Sequence, residues 1–243
     1  MSVGMFSVLP IPQTRWDERS LPWVVPFMPL VGGLIGVAWY AAAVFSTGLP
    51  WALQSALVLS IPFVLSGFLH LDGYMDTADA FFSRRGLEEK KRILKDAHVG
   101  AFAVIALHFL LLIDFCAIQA ILAEKKLLYA FFYIPIVSRC VTGMALLLMK
   151  PMAETGYMVM FKANTKPCHI VFMAFLFLLT FIAAFIQGGW LTVGTLGIVA
   201  AIGMATAFYL SRQFGGLSGD LCGCMISISE MAGLLGLAFL LAV

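Results

Sequence analysis

Residues 169–210 read HIVFMAFLFLLTFIAAFIQGGWLTVGTLGIVAAIGMATAFYL, without a single Asp, Glu, Lys or Arg. A helix needs about 20 apolar residues to cross the hydrocarbon core of a bilayer. The stretch is therefore long enough for two crossings, which we predict at 169–187 and 190–210. So long an uncharged run is typical of a membrane protein rather than of a soluble domain.

The whole chain shares this composition. Of its 243 residues, 62% are hydrophobic and only 12% are charged, whereas soluble domains are roughly half apolar and about a quarter charged. Further apolar runs of span length lie at 22–45, 51–71, 101–123, 127–149 and 221–243. The run at 51–71 contains Pro62, which should kink its helix. We predict an all-α, polytopic membrane protein with about seven transmembrane helices, folded as one domain over residues 1–243.

Basic residues indicate how the chain is oriented. With the N-terminus inside, all of the 15 Lys and Arg residues, beginning with Arg15 and Arg19, fall in cytoplasmic segments except Lys125, Lys126 and Arg139. Cytoplasmic loops of membrane proteins carry such an excess of basic residues. We therefore predict a cytoplasmic N-terminus and an external C-terminus.

This orientation places the two longest loops, at about 72–100 and 150–168, in the compartment that holds nucleotides. The net charge of +2 gives no sign of a nucleic-acid partner. The five cysteines lack the paired spacing of a disulfide or zinc framework. The first residues lack the basic and apolar regions of a secretory leader, so we expect no cleaved signal peptide.

Segment 66–103, SGFLHLDGYMDTADAFFSRRGLEEKKRILKDAHVGAFA, carries the most chemical information. Asp72, Asp76 and Asp79 are spaced i, i+4 and i+7, which puts them on one face of a helix. Their charges repel one another, and a divalent cation would relieve the repulsion. Because carboxylate oxygens suit Mg²⁺, we predict a Mg²⁺ site there, with Asp96 as a further ligand. A solvated helix end is the alternative, but small or apolar residues separate the carboxylates.

Basic residues follow the acidic run. Carboxylates, a metal ion and Lys or Arg together are the equipment of phosphoryl transfer, because cations offset the phosphate charge. We assign Arg84 and Arg85 to substrate binding and single out Lys95 because it adjoins Asp96. The basic run at 90–92 lies beside two glutamates, and we assign it to topology alone.

Two further groups lie on the same predicted side of the membrane. Arg139 falls within the fourth span, where an unpaired guanidinium is costly, so we expect a carboxylate or phosphate partner. Segment 214–230, FGGLSGDLCGCMISISE, opens the last span with glycines and a helix N-terminus, which suits an anion. Residues assigned to substrate binding in it are Gly215, Gly216, Gly219, Asp220 and Glu230.

Two histidines lie near carboxylates in the sequence. His70 adjoins the acidic run, so we assign it to proton transfer, with a bond to one of the aspartates as the alternative. His108 and Asp114 lie about two turns apart in the third span. We interpret them as an intramembrane pair and assign them no chemistry.

These residues resemble the cobalamin synthase family, whose members are also called adenosylcobinamide-GDP ribazoletransferases. The resemblance rests on HLDGYMDTADAFF at 70–82 and LKDAHVGAFAV at 94–104. Supporting strings are FSVLPIP at 6–12, SRCVTGMALLL at 138–148, ETGYMVMF at 154–161 and the segment at 214–230. An Arg that is common in the family is missing near Glu154, so we give this loop no role.

The resemblance implies an enzyme of the cytoplasmic (inner) membrane whose active site faces the cytoplasm. With Mg²⁺, it would transfer the phosphocobinamide group of adenosylcobinamide-GDP to the 5′-hydroxyl of α-ribazole or its 5′-phosphate, releasing GMP. Lys95 and Arg139 would offset the charge of the leaving GMP, and His70 or a carboxylate would accept the hydroxyl proton. The implied partners are these substrates and the bilayer; a homo-oligomer and contacts with other enzymes of the pathway are left open.

Two other functions share some of these features. A CDP-alcohol phosphotransferase also combines spaced aspartates, a metal ion and a nucleotide leaving group, but its D-G-x-x-A-R string is absent, since Asp72-Gly73 is followed by Tyr-Met-Asp. A cation-coupled transporter would carry its carboxylates near the bilayer midplane, whereas these lie at the predicted cytoplasmic edge.

Overall fold

The computed structural model describes residues 1–10, 20–163 and 165–242, whose regular structure is helical apart from an isolated β-bridge between Pro151 and Leu217. In chain order the helices are α1 Ser2–Phe6, α2 Leu21–Val24, α3 Met28–Phe45, α4 Trp51–Leu65, α5 Leu69–Phe82, α6 Leu87–Ile93, α7 Ala101–Glu124, α8 Ala130–Leu148, α9 Tyr157–Ala163, α10 Pro167–Phe214 and α11 Gly219–Ala242. Arg15 and Arg19, counted with the cytoplasmic basic residues, lie outside the described residues, as does residue 243, the end of the last predicted span.

Counting only the residues that the structure describes, five helices are long and apolar enough to cross a membrane: α3, α7, α8, α10 and α11. Helices α4 and α5 pass the same test together but meet at 89°. The prediction of an all-α, multi-pass membrane protein is confirmed. Seven crossings would require α10 to cross twice, and this number stays a prediction, as does the side on which the N-terminus lies.

Large apolar side chains remain exposed on the outer faces of α7 and α10. Phe109 and Leu112 are 61% and 60% exposed, and Ile186 is 79% exposed. In water, so much apolar surface would favour aggregation. Lipid tails are the solvent that such a surface fits.

Helix α10 is too long for a single straight crossing. Its 48 residues would extend about 72 Å at the helical rise, more than twice the roughly 30 Å of a bilayer core. Gly189 interrupts it with φ 61° and ψ −153°. A side chain at this position would be strained, so the glycine fits the break.

The two halves of α10 run in opposite directions along α8. Beside the break, the Tyr133 hydroxyl near the start of α8 donates a hydrogen bond to Gln187 (2.9 Å). Met173, from the first half, lies against Gly143 near the other end of α8. Gly203, from the second half, returns to the adjacent turn of α8. The contacts therefore have the form of a helical hairpin.

Helix α8 forms the centre of the bundle, with α3, α10 and α11 packed around it. Its side chains are buried on nearly every face, as expected of a helix enclosed by others. Phe131 packs against Trp39 of α3, and both are at most 1% exposed.

The predicted second span, 51–71, is broken. Helix α4 ends at Leu65, and Gly67 and Phe68 both have positive φ, 63° and 60°, the left-handed conformation that commonly ends helices. The break therefore comes after the expected kink at Pro62. It turns α5, which carries the acidic run, nearly perpendicular to α4.

Helices α5 and α11 cross at two glycines. A Cβ atom on Gly73 would lie 2.6 Å from the carbonyl oxygen of Asp220, and one on Gly223 would lie 3.1 Å from that of His70. Since only glycine permits so close an approach, these two residues set the distance between the helices. The crossing places Asp220 beside the acidic run.

Candidate active site

Helix α5 carries the acidic row, by which we mean Asp72, Asp76 and Asp79. Asp72 is exposed, and Asp76 and Asp79 are partly buried. Residues between them, including Thr77 and Ala80, are buried against the bundle. Because α5 is helical over the whole segment, the predicted spacing does align the three carboxylates along it.

Asp220, at the start of α11, joins the acidic row at the crossing and interacts electrostatically with Asp72 and Asp76. Asp76 lies beyond the predicted second span. Its partial burial, reinforced by Asp72, Asp220 and Asp79, raises the pKa of Asp76 to about 6. The sequence had assigned Asp220 to substrate binding alone. The fold makes it a further carboxylate of the acidic site.

Among the residues that the structure describes, no three His, Cys, Asp or Glu side chains are gathered closely enough to hold a metal ion. Mg²⁺ at the acidic row therefore stays a prediction. Asp96 is engaged elsewhere, because its carboxylate accepts a hydrogen bond from the backbone N–H of His98 (3.0 Å) and contacts the ring Nδ1 (2.7 Å). The bonds from His98 hold the pKa of Asp96 below its ordinary value.

A cavity of about 540 Å³ opens where α5 and α11 cross, and we call it the crossing cavity. Its polar lining includes His70, Asp72, Lys95 and Asp220. Ligand pockets commonly have volumes of roughly 300–1,000 Å³ and a few convergent polar groups. The fold thus brings together residues that were assigned separately to catalysis, metal binding and substrate binding.

The loop after α8 and helix α9 supply much of the remaining wall of the crossing cavity. Met152, Thr155 and Met158 line it, whereas Glu154 is exposed to solvent. Sequence reasoning gave this loop no role and missed these residues. The signal available was the string ETGYMVMF at 154–161, which carried the family resemblance but no recognisable chemistry.

A second pocket, the outer pocket, has a volume of about 440 Å³ and is lined by Asp79, Arg85, Asp96 and His98, among others. Arg85 lines this pocket, whereas Arg84 lines neither this pocket nor the crossing cavity, and substrate binding by either residue stays a prediction. The acidic row runs from the crossing cavity at Asp72 to the outer pocket at Asp79.

Lys90 does more than the topological role assigned to it. Its ammonium group is 3.0 Å from the side-chain oxygen of Gln213 and lies over the Phe81 ring, so it joins α6 to α10. Lys91 and Arg92, by contrast, form exposed ion pairs with nearby glutamates of α6, which fits the role assigned to them.

The glycines assigned to substrate binding divide into two groups. Gly219 lines the crossing cavity. Gly215 and Gly216 have φ values of 76° and 152° and form the turn between α10 and α11. The next residue, Leu217, bonds to the loop after α8 through its N–H and carbonyl groups. Gly215 and Gly216 therefore shape a turn that braces this loop, and their contact with a ligand stays a prediction.

Arg139 has the carboxylate partner that its burial requires. The guanidinium, only 1% exposed, donates to Glu230, which also accepts a hydrogen bond from Ser138 (2.8 Å). Neither member of the pair lines the crossing cavity or the outer pocket. The two residues join α8 to α11 inside the bundle, and the roles predicted for Arg139 in catalysis and for Glu230 in substrate binding stay predictions.

His70 lies between the acidic row and the bundle interior. The residue lines the crossing cavity and is 6% exposed, and its buried Nε2 has no hydrogen-bond partner among the described residues. The Ser227 hydroxyl donates to its backbone carbonyl (3.3 Å). Buried polar groups normally have a hydrogen-bond partner, so a bound molecule or a water is the expected partner of this nitrogen.

His108 and Asp114 do not form the expected pair. The ring of His108 is exposed and contacts the carbonyl of Val104 (2.7 Å). Asp114 is buried and interacts electrostatically with Glu230. A spacing of two turns placed them on different sides of α7.

Comparison with known proteins identifies the chain's relatives. A family model described as Cobalamin-5-phosphate synthase matches residues 1–238. The chain belongs to this family.

The cobalamin-5-phosphate synthase relatives include proteins named adenosylcobinamide-GDP ribazoletransferase. That of Clostridium perfringens (strain SM101 / Type A) is 34% identical over 241 residues, which cover 97% of this chain and 94% of the relative. Those of Lachnoclostridium phytofermentans and Geobacillus sp. (strain WCH70) are 33% and 34% identical, over 96% and 93% of this chain and 90% and 89% of their own lengths. No solved structure matches. The family resemblance seen in the sequence strings is confirmed.

Proposed function

We propose that this protein is an adenosylcobinamide-GDP ribazoletransferase of the cytoplasmic membrane, working at the cytoplasmic face with Mg²⁺. It would join adenosylcobinamide-GDP to α-ribazole or its 5′-phosphate. The observation that carries the proposal is the acidic row with Asp220, lying between two cavities in a chain of this family. Lys95, which lines the crossing cavity as Asp72 does, supplies a cation suited to phosphate.

The donor set fits Mg²⁺ in its chemistry. Asp72, Asp76 and Asp220 offer carboxylate oxygens, which hard cations prefer, and their mutual repulsion favours a bound positive charge. Asp79 extends the same set towards the outer pocket. When bound, Mg²⁺ would neutralise phosphate oxygens and stabilise the charge that develops on the leaving group.

The reaction exchanges one phosphoryl–oxygen bond for another. The 5′-hydroxyl oxygen of α-ribazole attacks the phosphorus that carries cobinamide, and the bond from that phosphorus to the GMP oxygen breaks. GMP leaves with the bonding electrons, and the hydroxyl proton passes to a base. We assign acceptance of this proton to His70, whose buried Nε2 has no protein partner, or to a carboxylate of the acidic row.

The other residues of the site bind and orient the substrates. Lys95 offsets phosphate charge at the crossing cavity, and Arg85 does so at the outer pocket. The Arg139–Glu230 pair contributes by holding α8 against α11, on which Asp220 lies. Positioning of the two substrates supplies much of the rate in such a mechanism.

The test is product analysis with purified protein in liposomes. With adenosylcobinamide-GDP, α-ribazole and Mg²⁺, mass spectrometry should detect adenosylcobalamin and GMP in equal amounts. Asp76→Asn removes one charge at nearly constant volume and should lose most of the turnover. Lys91→Ala, which breaks an exposed ion pair, should leave turnover nearly unchanged. GMP release without adenosylcobalamin, or normal turnover by Asp76→Asn, would contradict the proposal.

A further inference from the structure

One wall of the crossing cavity consists of apolar side chains that phosphoryl transfer does not require. Four methionines line it: Met5 from α1, Met28 from α3, Met152 from the loop after α8, and Met158 from α9. Phe161 of α9 lies among them. Met5, Met28 and the segment 152–161 are far apart in the sequence, so the surface that they form, which we call the methionine wall, exists only in the folded protein.

The cavity is polar at its mouth and apolar inside. Asp72, at the mouth, is exposed, whereas Met28, Phe161 and Ile226 are only 2%, 4% and 1% exposed. Their side chains offer a molecule in the cavity thioether and hydrocarbon surface, but no hydrogen-bond donors. His70, whose Nε2 lacks a partner, provides a polar group in the same lining.

We propose that the methionine wall binds the base of the acceptor nucleoside and selects a flat, uncharged, apolar base over a polar purine. This proposal rests on the proposed function. One base and one ribose suit a cavity of about 540 Å³, whereas a corrin ring with its side chains is too large. With the base inside, the ribose and its 5′-hydroxyl lie at the mouth beside Asp72 and Asp220.

Selectivity follows from desolvation. The amino group and ring nitrogens of a purine would leave water for the Met and Phe side chains of the methionine wall, and the Nε2 of His70 in the same lining could replace only one of their hydrogen bonds. A benzimidazole with methyl substituents loses little by the same transfer. Methionine side chains are flexible and make favourable sulfur–aromatic contacts, so benzimidazoles with different substituents should all be accepted, whereas purines are disfavoured.

The acyl chain of a membrane lipid is the rival occupant of an apolar cavity in such a protein. A hydrocarbon chain would fill the methionine wall but would offer nothing to Asp72, Lys95 or the unpartnered Nε2 of His70. A nucleoside satisfies both parts of the lining, which is why the observations favour it.

The test compares two matched substitutions. Met158 and Met144 are both partly buried and pack against the same apolar cluster, but only Met158 lines the cavity. In equilibrium dialysis with detergent-purified protein, Met158→Gln should weaken binding of α-ribazole about tenfold, the size expected for an apolar pocket contact. It should also reduce the preference for α-ribazole over the adenine α-riboside. Met144→Gln should bind both as the wild type does.

Measurements of turnover distinguish a failure of this proposal from a failure of the proposed function on which it rests. The KM for α-ribazole should rise in Met158→Gln, while the KM for adenosylcobinamide-GDP stays unchanged. Loss of folded protein would not change one KM value and leave the other unchanged. Unchanged α-ribazole binding in Met158→Gln, or competitive displacement of α-ribazole by a short-chain phospholipid, overturns the base site. If the wild type binds α-ribazole through Met158 but releases no GMP from adenosylcobinamide-GDP, the base site stands and the proposed function fails.

Discussion

At the scale of single residues, Asp76 is the aspartate of the site on which three other aspartates act electrostatically. It lies in the middle of the acidic row, with Asp72 one turn before it, Asp79 one turn after it, and Asp220 approaching from α11. Partial burial weakens its hydration, so the neighbouring charges act on it strongly. We therefore expect a cation or proton that relieves this repulsion to bind near Asp76.

The first prediction concerns the pH dependence of cation binding. Because the pKa of Asp76 is raised to about 6, the carboxyl group carries a proton below that pH and is ionised above it when no cation is present. A divalent cation must displace this proton, so its affinity should fall as the pH falls through 6 and level off above it. Mn²⁺ titration of the purified protein, followed by electron paramagnetic resonance, measures this.

Asp76→Asn provides the control for that titration, because it has no proton to displace. Its Mn²⁺ affinity should be lower than that of the wild type and should change less on crossing pH 6. An equally steep pH dependence in Asp76→Asn would assign the titration to another group.

Arg139 and Glu230 show how much of a side chain's surroundings can be predicted from the sequence. The cost of an unpaired guanidinium within a span predicted an anionic partner for Arg139, and the partner is Glu230. The sequence could not distinguish a substrate phosphate from a carboxylate on another helix, since that depends on how deep each residue lies. Removing one member of so buried a pair would leave an uncompensated charge, so loss of activity in such a variant would not by itself indicate catalysis.

At the scale of elements, the crossing of α5 and α11 builds the site. The two helices meet at Gly73 and Gly223, and this contact places Asp220 beside Asp72 and Asp76. The acidic row could be predicted because its spacing is local. The crossing could not, because the two glycines are far apart in the chain and nothing near either one indicates its partner.

The second prediction tests this crossing. The added methyl group of Gly73→Ala would lie 2.6 Å from the Asp220 carbonyl oxygen, and a backbone atom cannot move aside easily. Such overpacking costs about 1–3 kcal/mol, and it should reduce turnover because Asp220 is pushed away from the acidic row. The midpoint of thermal unfolding in detergent and the rate of GMP release are the measurements.

Gly197→Ala is the matched control, also within a helix. A Cβ atom at Gly197 would meet nothing within 4 Å, and Ala is favoured over Gly in helices by up to about 1 kcal/mol. Its unfolding midpoint should therefore stay the same or rise, with normal turnover. Full activity in Gly73→Ala would mean that the position of Asp220 does not matter for the reaction.

The break between α4 and α5 is a second case in which the local sequence predicts one feature, and contacts with distant helices determine another. Apolar composition predicted one span over 51–71, because Leu69 and Leu71 continue the hydrophobic run. The backbone turns at 66–68 instead, where Gly67 adopts a positive φ, and α5 packs against α7 and α11. The hydrophobicity of a segment predicts that it is buried, but it does not predict the direction in which its helix runs.

At the scale of the whole molecule, the acidic row is useful only if it faces the nucleotide substrates. The basic residues predict this orientation, and the hairpin form of α10 predicts that its turn at Gly189 lies on the opposite side of the membrane. Both predictions concern the relation of the bundle to the bilayer, so labelling from the two sides tests them together.

The last prediction uses single cysteines as reporters. Gly86→Cys lies between α5 and α6, where a Cβ meets nothing within 4 Å, and Trp190→Cys lies beside the α10 break at a position that is 78% exposed. In a background where the exposed Cys116 and Cys168 are changed to Ser, a membrane-impermeant maleimide should label Trp190→Cys in intact cells. It should label Gly86→Cys only after permeabilisation, and the parent background should stay unlabelled.

The pattern of labelling separates the count of crossings from the orientation. If both cysteines react only after permeabilisation, α10 does not cross twice and the count of seven is wrong, while the acidic row still faces the cytoplasm. If Gly86→Cys reacts in intact cells and Trp190→Cys does not, the orientation is reversed. The acidic row would then face away from the cytoplasmic pool of nucleotide substrates, which would contradict the proposed function even though the fold and the family were unchanged.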